Sequence, residues 1–307
     1  MFDIPVVFIT YIRLDTTKQV FEQIRAVKPT KLYHISDAAN DEEKQSRVEA
    51  VREFVRNGID WECELVTNYA EKNMGSKNRI NSGLNWVFER EDRAVILEDD
   101  VVPSQSFFSF CKVMLERYEN DERVMMITGH KRVPEYEIAQ DYIFSDYCSI
   151  WGWATWSRAW KRNDQSLALW PEAKKTHFLR KVYGMDVEMA LTRNLDEVYA
   201  GELDAWDYGW QLNKALCGGV EIVPKYNLVK NIGMLSEDAT HKFKREIEMR
   251  INEFSLSEKP INEVKVEIDY DKMLAKKYFH VSLPEKIIRI IVPASWLKAI
   301  RVRLFKR

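Results

Sequence analysis

Residues 94–101 read AVILEDDV, four apolar residues that run directly into the three acids Glu98, Asp99 and Asp100. A short continuous apolar run is typical of a strand buried on both faces of a sheet. Ser104 follows at a position expected of a helix N-cap, so the acids lie between a strand and a helix. We therefore predict three carboxylates, hereafter the acid triplet, at the carboxyl end of a buried strand.

The same alternation of strands and helices extends over the first 130 residues. Apolar residues recur at helical spacing after Asp15 and again after Asn40, which is expected to cap a helix that Gly58 ends. The predicted strands are residues 4–10, 31–36, 61–67, 94–97 and 124–128. Repeated strand–helix–strand units indicate an α/β fold with a mixed, mostly parallel sheet and helices on both faces.

Polar side chains are predicted at one edge of this sheet. Arg13 follows the first strand, Asp37 the second, residues 73–77 the third and the acid triplet the fourth. In parallel sheets, ligands bind at the carboxyl ends of the strands. We therefore expect these four loops to converge on one site.

The chain divides into three predicted parts. Residues 1–130 carry the strand–helix pattern, and residues 131–245 are rich in Trp and Tyr and lack it. We interpret residues 131–245 as a second subdomain packed on the sheet edge. Residues 246–307 form a C-terminal extension that is predicted to end in basic amphipathic helices, because apolar residues recur among basic ones there.

Composition indicates a globular protein of the cytoplasm. Hydrophobic residues make up 46% and aromatics 12% of the 307 residues, enough for a sizeable core. The net charge is −2, yet residues 284–307 alone carry +6, so the body is acidic and no nucleic-acid partner is expected. The four cysteines lie far apart, which argues against a zinc site and favours a reducing compartment. The sequence has neither an apolar stretch of spanning length nor a basic-flanked leader.

The acid triplet points to a cation. Adjacent carboxylates repel one another unless a cation neutralises them, and Mn²⁺ or Mg²⁺ would also accept phosphate oxygens. The alternative is an acidic cluster that complements the N-terminus of the next helix. The glycine motifs of dinucleotide-binding folds and of P-loops are absent, which favours a metal-bound diphosphate on an α/β sheet.

Taken together, these motifs resemble glycosyltransferases of the GT-A fold. The EDD form of the acid triplet is similar to that of N-acetylglucosaminyltransferase I and of bacterial family 2 glycosyltransferases. Later segments that also resemble this group are residues 151–156 (WGWATW), Trp206-Asp207, residues 231–233 (NIG) and Thr240-His241.

The resemblance implies donor binding of a nucleotide-sugar, with a UDP-sugar favoured, and a role for each matching residue. Asp100 would hold the metal, assisted by His241, and a later carboxylate would serve as base. Asp207 matches that base best, and Asp204, three residues earlier, is the alternative. The residues implied in donor binding are Arg13, Asp37, Asn73, Gly75, Lys77, Glu98 and Asp99.

Other side chains have two interpretations each. Trp153, Trp156 and Trp206 could stack on the acceptor sugar, or the tryptophans of this region could belong to the core. Lys77 and Arg79 could steady phosphate charge, or they could be exposed helix cations. His241 could complete the metal sphere, or it could be a surface loop residue.

The sequence thus predicts a metal-dependent, inverting glycosyltransferase with a glycan acceptor, including one on a lipid carrier, in bacterial cell-surface polysaccharide synthesis. The rivals are a sugar nucleotidyltransferase, which would need glycines directly after the first strand, and a non-catalytic carbohydrate-binding or scaffold protein. The basic extension predicts peripheral contact with the inner face of the cytoplasmic membrane. The alternative is a helix packed on the catalytic domain.

Overall fold

A computed structural model describes residues 1–233, 250–257, 261 and 263–282. The strands are β1 (Val6–Thr10), β2 (Lys31–Ser36), β3 (Glu64–Tyr69), β4 (Arg93–Glu98), β5 (Val101–Pro103), β6 (Val124–Thr128), β7 (Tyr142–Ser145), β8 (Trp153–Trp156), β9 (Val220–Pro224) and β10 (Val229–Asn231). The helices are α1 (Leu14–Val27), α2 (Glu42–Asn57), α3 (Gly75–Phe88), α4 (Gln105–Arg117), α5 (Ser157–Trp160), α6 (Trp170–Lys175), α7 (Phe178–Tyr183), α8 (Met185–Tyr199), α9 (Asp207–Leu216) and α10 (Ile268–Tyr278).

One large sheet organises the described part of the chain, with the strand order β3-β2-β1-β4-β8-β6-β9-β7. Strands β8 and β7 run antiparallel to their neighbours, and the other six strands share one direction. The short strands β5 and β10 pair antiparallel beside this sheet. The predicted α/β class with a mixed, mostly parallel sheet is confirmed.

Alternate side chains of β1 enter two different cores. Val6 and Phe8 pack with helices α1, α2 and α4, whereas Val7 and Ile9 pack with α3, α5 and α9. Since successive side chains of a strand point to opposite faces, helices cover both faces of the sheet, as predicted. A third core joins α6, α7, α8 and α10 beyond β7.

The interpretation of residues 131–245 as a unit packed on the sheet edge is wrong. They supply β7, β8 and β9 to the same sheet, and β8 is inserted between β4 and β6. Ile96 pairs with Trp153 and Arg93 pairs with Trp156. A four-residue strand of the sequence WATW is too short to show an apolar period. The position of β8 in the sheet therefore could not be predicted from its sequence. As a result of this insertion, β4 is an interior strand, with β1 on one side and β8 on the other.

Of four predicted element boundaries, two lie at a different residue in the structure and two are confirmed. The third strand begins at Glu64 rather than Trp61, because the Trp61 indole donates to the carbonyl of Pro29 and is fixed ahead of the strand. The cap of α2 is Asp41 rather than Asn40, and its carboxylate accepts from the amide of Lys44 at 2.8 Å. Ser104 caps α4 and Gly58 ends α2, as predicted.

The described residues include no helix both long and apolar enough to cross a membrane. The helices predicted within residues 284–307 lie outside the described residues, as does His241.

Candidate functional site

The acid triplet ends β4 and faces the loop that follows β1. Nη2 of Arg13 lies 2.6 Å from Oδ1 of Asp99, and its Nη1 lies 2.9 Å from Oδ2 of Asp100. The amide of Tyr11 donates to the second oxygen of Asp99 at 3.0 Å. The structure therefore brings Arg13, Asp99 and Asp100 together, at the edge where β1 and β4 end side by side.

The charges of this cluster are not balanced. Burial, together with the charges of Asp100 and Asp99, raises the pKa of Glu98 to about 8, and Arg13 opposes that rise. Burial likewise raises the pKa of Asp99 to about 6, although Arg13 lowers it. A raised carboxyl pKa means that the charged form is disfavoured. Since burial already disfavours the charged form of Glu98, the single guanidinium of Arg13 faces the two aspartates that it contacts, Asp99 and Asp100.

Strand β10 closes the opposite side of the acid triplet. Asn231 pairs with Val101, and the amide of Ile232 donates to the carbonyl of Asp100 at 2.8 Å. A Cβ placed on Gly233 would collide with the carboxylate of Asp100 and the guanidinium of Arg13. A larger residue at this position would have to displace one of those two side chains, so Gly233 leaves the ion pair its space.

Asp37 holds the loop that follows β3. Its carboxylate accepts from the amides of Met74 at 3.0 Å and Gly75 at 3.1 Å, and the side-chain amide of Asn73 lies 3.4 Å away. Asn73 also lies 3.4 Å from the hydroxyl of Tyr11, the residue whose backbone reaches Asp99. Tyr11, which sequence reasoning did not select, thus links the acid triplet to the loop that Asp37 holds.

Asp204 and Asp207 occupy different environments. Both oxygens of Asp204 accept backbone amides, from Ser76 and from Lys77, each at 2.8 Å. Asp207 is the first residue of α9, and its charge contributes to the raised pKa of Glu98. Asp204 therefore serves the start of α3, whereas Asp207 opens α9.

The two predicted phosphate-binding cations of α3, Lys77 and Arg79, contact backbone carbonyls of the protein instead. Nζ of Lys77 points to the carbonyl of Val198 in α8, at 3.4 Å. Arg79 is buried, and its Nη2 donates to the carbonyl of Asn68 in β3. The interpretation of Arg79 as an exposed helix cation is therefore wrong.

The interpretation of Trp153 and Trp156 as a sugar-stacking surface is wrong. Their exposed fractions are 1% and 2%, because β8 is covered on both faces. Trp206 is 5% exposed and stacks on Trp153 with ring centroids 5.5 Å apart. These three indoles belong to the core, so none of them offers a face to a ligand.

A different tryptophan, Trp151, lies two residues before β8, whose first residue pairs with Ile96 of β4. It is partly exposed and stacks on His130, with centroids 4.2 Å apart and planes inclined by 14°. His130 is buried, burial lowers the pKa of its imidazole well below the usual range, and its Nε2 has no hydrogen-bond partner among the described residues. Gly152, with φ of 53°, turns the chain next to Trp151 and lies against Leu97, the residue before the acid triplet. No pattern in the sequence distinguishes Trp151 from Trp153, so sequence reasoning had no signal for Trp151.

The described residues contain no group of three or more His, Cys, Asp or Glu side chains arranged around a metal ion. The acid triplet nevertheless fits a cation that is held by one carboxylate and by ligand phosphates, the usual arrangement for Mg²⁺. Its surplus negative charge favours such an ion, and Asp100 is the more accessible of the two aspartates, at 14% against 4% side-chain exposure. The predicted second ligand, His241, lies outside the described residues.

The sequence matches no protein-family model and no curated protein. Similar solved structures include TarS 1–349 of S. aureus, with a TM-score of 0.43 and 10% identity over 75% of this chain. The present chain spans 60% of the length of that TarS chain. A mannosyltransferase, PcManGT of Pyrobaculum calidifontis in complex with GDP-Man and Mn²⁺, gives a TM-score of 0.34 and 15% identity over 50% of this chain and 44% of its own. HddC of Yersinia pseudotuberculosis gives a TM-score of 0.33 and 9% identity, over 50% of this chain and 77% of the HddC chain. Likenesses at these TM-scores establish neither the activity nor the ligands of the present chain.

Proposed function

We propose that the protein is a glycosyltransferase that moves a sugar from a nucleotide-diphosphate-sugar to a glycan acceptor, with a UDP-sugar as the favoured donor. One observation carries this proposal. An acid triplet ends the interior strand β4 where β1 also ends, and Arg13 bridges its two aspartates there. Such a cluster suits a cation and the diphosphate that the cation would hold. The role of Asp207 as proton acceptor rests on the resemblance of Trp206-Asp207.

Asp100 would hold a Mn²⁺ or Mg²⁺ ion, with the remaining positions taken by water and by phosphate oxygens of the donor. The ion would stabilise the negative charge that develops on the departing nucleoside diphosphate. Arg13 and Asp99 would fix the orientation of Asp100, because Arg13 bridges the two aspartates. Asp37 and Asn73 would shape the wall of the donor site through the loop they hold.

Asp207 would accept the proton of the attacking acceptor hydroxyl, since a free hydroxyl is a poor nucleophile. The acceptor oxygen forms a bond to the anomeric carbon while the bond from that carbon to the diphosphate oxygen breaks. The electron pair leaves with the nucleoside diphosphate, and the proton moves to Asp207. A single displacement of this kind inverts the anomeric centre.

A panel of nucleotide-sugars tests the proposal. The purified protein is incubated with UDP-, GDP-, dTDP- and CMP-sugars, with Mn²⁺ and with chelator, and release of free nucleotide is measured without an acceptor. We expect slow, Mn²⁺-dependent release from one donor class. No metal-dependent release and no metal-dependent binding of any nucleotide-sugar would contradict the proposed activity and favour a carbohydrate-binding protein.

We further propose that Trp151 contacts the acceptor sugar. A neutral imidazole stacked behind the indole fixes its orientation without placing a charge beneath it. Sugars present C–H faces that pack on aromatic rings. Partial exposure beside the residues that lead into β8 gives Trp151 the position that the buried Trp153 lacks.

Replacing Trp151 with Ala is expected to weaken glycan binding by roughly threefold to tenfold, the range of a single aromatic contact. The measurement is binding of labelled protein to a glycan array. Trp61→Ala is the matched control, since Trp61 is another partly exposed indole, fixed far along the sheet by the carbonyl of Pro29. Equal losses in both variants, or none at Trp151, would remove this residue from the acceptor site.

The basic extension supports a peripheral membrane contact. Residues 284–307 carry seven basic residues and one acidic residue, and apolar residues recur among them. The described chain ends beside the start of α8, where the amide of Val281 lies 3.3 Å from the carboxylate of Asp186. We propose that the extension attaches the protein to anionic lipid, because basic residues near such a surface each contribute about 1 kcal/mol.

Truncation after Leu283 is expected to abolish co-sedimentation with anionic vesicles and to leave donor hydrolysis unchanged. Vesicles of neutral phosphatidylcholine serve as the control for the full chain and should bind it weakly. Vesicle binding that survives truncation would disprove the attachment. Insolubility of the truncated protein would instead place the extension in the core.

A further inference from the structure

Helix α3 begins at the candidate donor site without a cap from its own chain segment. The first amides of any helix lack partners within the helix. Met74, which occupies the N-cap position, has no side-chain oxygen to offer them. The partners come from far along the chain, because Oδ2 of Asp204 accepts from the amide of Ser76 and Oδ1 accepts from that of Lys77, each at 2.8 Å.

Gly75 makes this distant cap possible. Its φ is 75°, in the left-handed region that favours glycine. A Cβ at this position would lie 2.7 Å from Oδ2 of Asp204, so a larger residue would push that carboxylate away from the amides it accepts. Gly75 therefore both turns the loop into α3 and leaves the space that the carboxylate of Asp204 occupies.

Two carboxylates thus divide four consecutive amides between them. Asp37 accepts from Met74 and Gly75, and Asp204 accepts from the next two residues. Asp37 is buried at the end of β2, whereas Asp204 is exposed in the connection between α8 and α9. The loop of residues 73–77 is consequently held on one side by Asp37, which follows β2, and on the other by Asp204 of the α8–α9 connection.

We propose that Asp204 is a positioning residue of the donor site, which caps α3 from the α8–α9 connection and holds the loop of residues 73–77 in the shape that receives the nucleotide-sugar. This role rests on the proposed function. The carboxylate acts through the backbone of the loop and takes no part in the chemistry. A negative charge at the amino end of a helix is also favoured by the helix dipole, which strengthens the clamp.

The test compares donor binding with catalysis in Asp204→Ala. We expect the donor KM to rise by roughly fivefold to tenfold, the loss of two hydrogen bonds to a charged acceptor at an exposed position, while kcat stays within about threefold. Asp204→Asn retains one carbonyl oxygen and should recover part of the donor affinity. Hydrogen exchange at the amides of Ser76 and Lys77 should accelerate in Asp204→Ala.

Asp164→Ala is the matched control. Like Asp204, Asp164 accepts exposed hydrogen bonds from two backbone amides. These amides belong to Ser166 and Ala168, in a different loop. It should change neither the donor KM nor the exchange at Ser76 and Lys77. A donor KM in Asp204→Ala equal to that of the wild type, or unchanged exchange at those two amides, would overturn the proposal.

Failure of the proposed function gives a different result. If the wild-type protein binds no nucleotide-sugar, the positioning role falls with that function, and accelerated exchange in Asp204→Ala would then identify Asp204 as a helix cap alone. If the wild-type protein binds the donor and Asp204→Ala binds it equally well, the proposed function stands and the positioning role does not.

Discussion

Asp100→Ala is expected to lower the turnover of donor by roughly a thousandfold or more, the scale seen when a main electrostatic contact of a transition state is lost. The bound cation would lose its protein carboxylate, so binding of Mn²⁺ measured by calorimetry should weaken in parallel. The fold should survive, because Arg13 keeps its 2.6 Å contact with Asp99 and the amide of Tyr11 keeps Asp99 in place.

Asp121→Ala is the matched control for that variant. Asp121 also pairs with an arginine, Arg123, at 2.7 Å, on an exposed turn far from the acid triplet. Both variants remove an aspartate from an ion pair, so a difference in Mn²⁺ binding between them isolates the role of position 100. Wild-type turnover by Asp100→Ala in Mn²⁺ would disprove the assignment of Asp100 as the metal ligand.

Asp207→Asn is expected to lower kcat by roughly a hundredfold or more, the scale of general-base loss, with nearly unchanged donor affinity. The asparagine keeps the size of the side chain and its place at the start of α9, but it cannot accept the proton. Donor affinity should persist because Arg13, Asp37 and the acid triplet are untouched. The measurement is single-turnover kinetics together with calorimetric binding of the donor.

Two further aspartates separate the possible outcomes for position 207. Asp269→Asn is the control, since Asp269 also lies in the first turn of a helix, α10, and is exposed. Asp204→Asn should act on the donor KM rather than on kcat. A hundredfold loss of kcat in Asp204→Asn with a mild effect at Asp207 would transfer the role of base to Asp204.

The sequence predicted what depends on local pattern. The run of residues 94–97 into the acid triplet identified a buried strand and the polar loop after it, and the structure places Glu98 at the end of β4. The regular alternation of the first 130 residues predicted that Arg13 and the acid triplet meet at one edge of the sheet, and the structure places Arg13 beside Asp99 and Asp100. Both results follow because parallel strands linked by helices end at one edge.

The sequence could not predict what depends on contacts between distant segments. Trp153 and Trp151 are two residues apart and chemically identical, yet Trp153 is buried in β8 and Trp151, ahead of the turn at Gly152, is partly exposed. Likewise, Asp204 and Asp207 share a helical spacing, and the amides of Ser76 and Lys77 distinguish them. Such choices are made by tertiary packing, which a periodic pattern does not contain.

The insertion of β8 into the middle of the sheet has a consequence for how the chain reaches its native state. Strand β2 pairs with β1 and β3, its neighbours in sequence. Strand β1 meets β4 only across almost ninety residues, where Val6 pairs with Val95, and β4 meets β8 more than fifty residues later, where Ile96 pairs with Trp153. Closing so long a loop is entropically costly and slows folding. Until then, the apolar edge of β4 is open to pairing with another chain. We expect the acid triplet at the end of that edge to oppose such association, because charged residues that flank an apolar strand disfavour pairing with another chain.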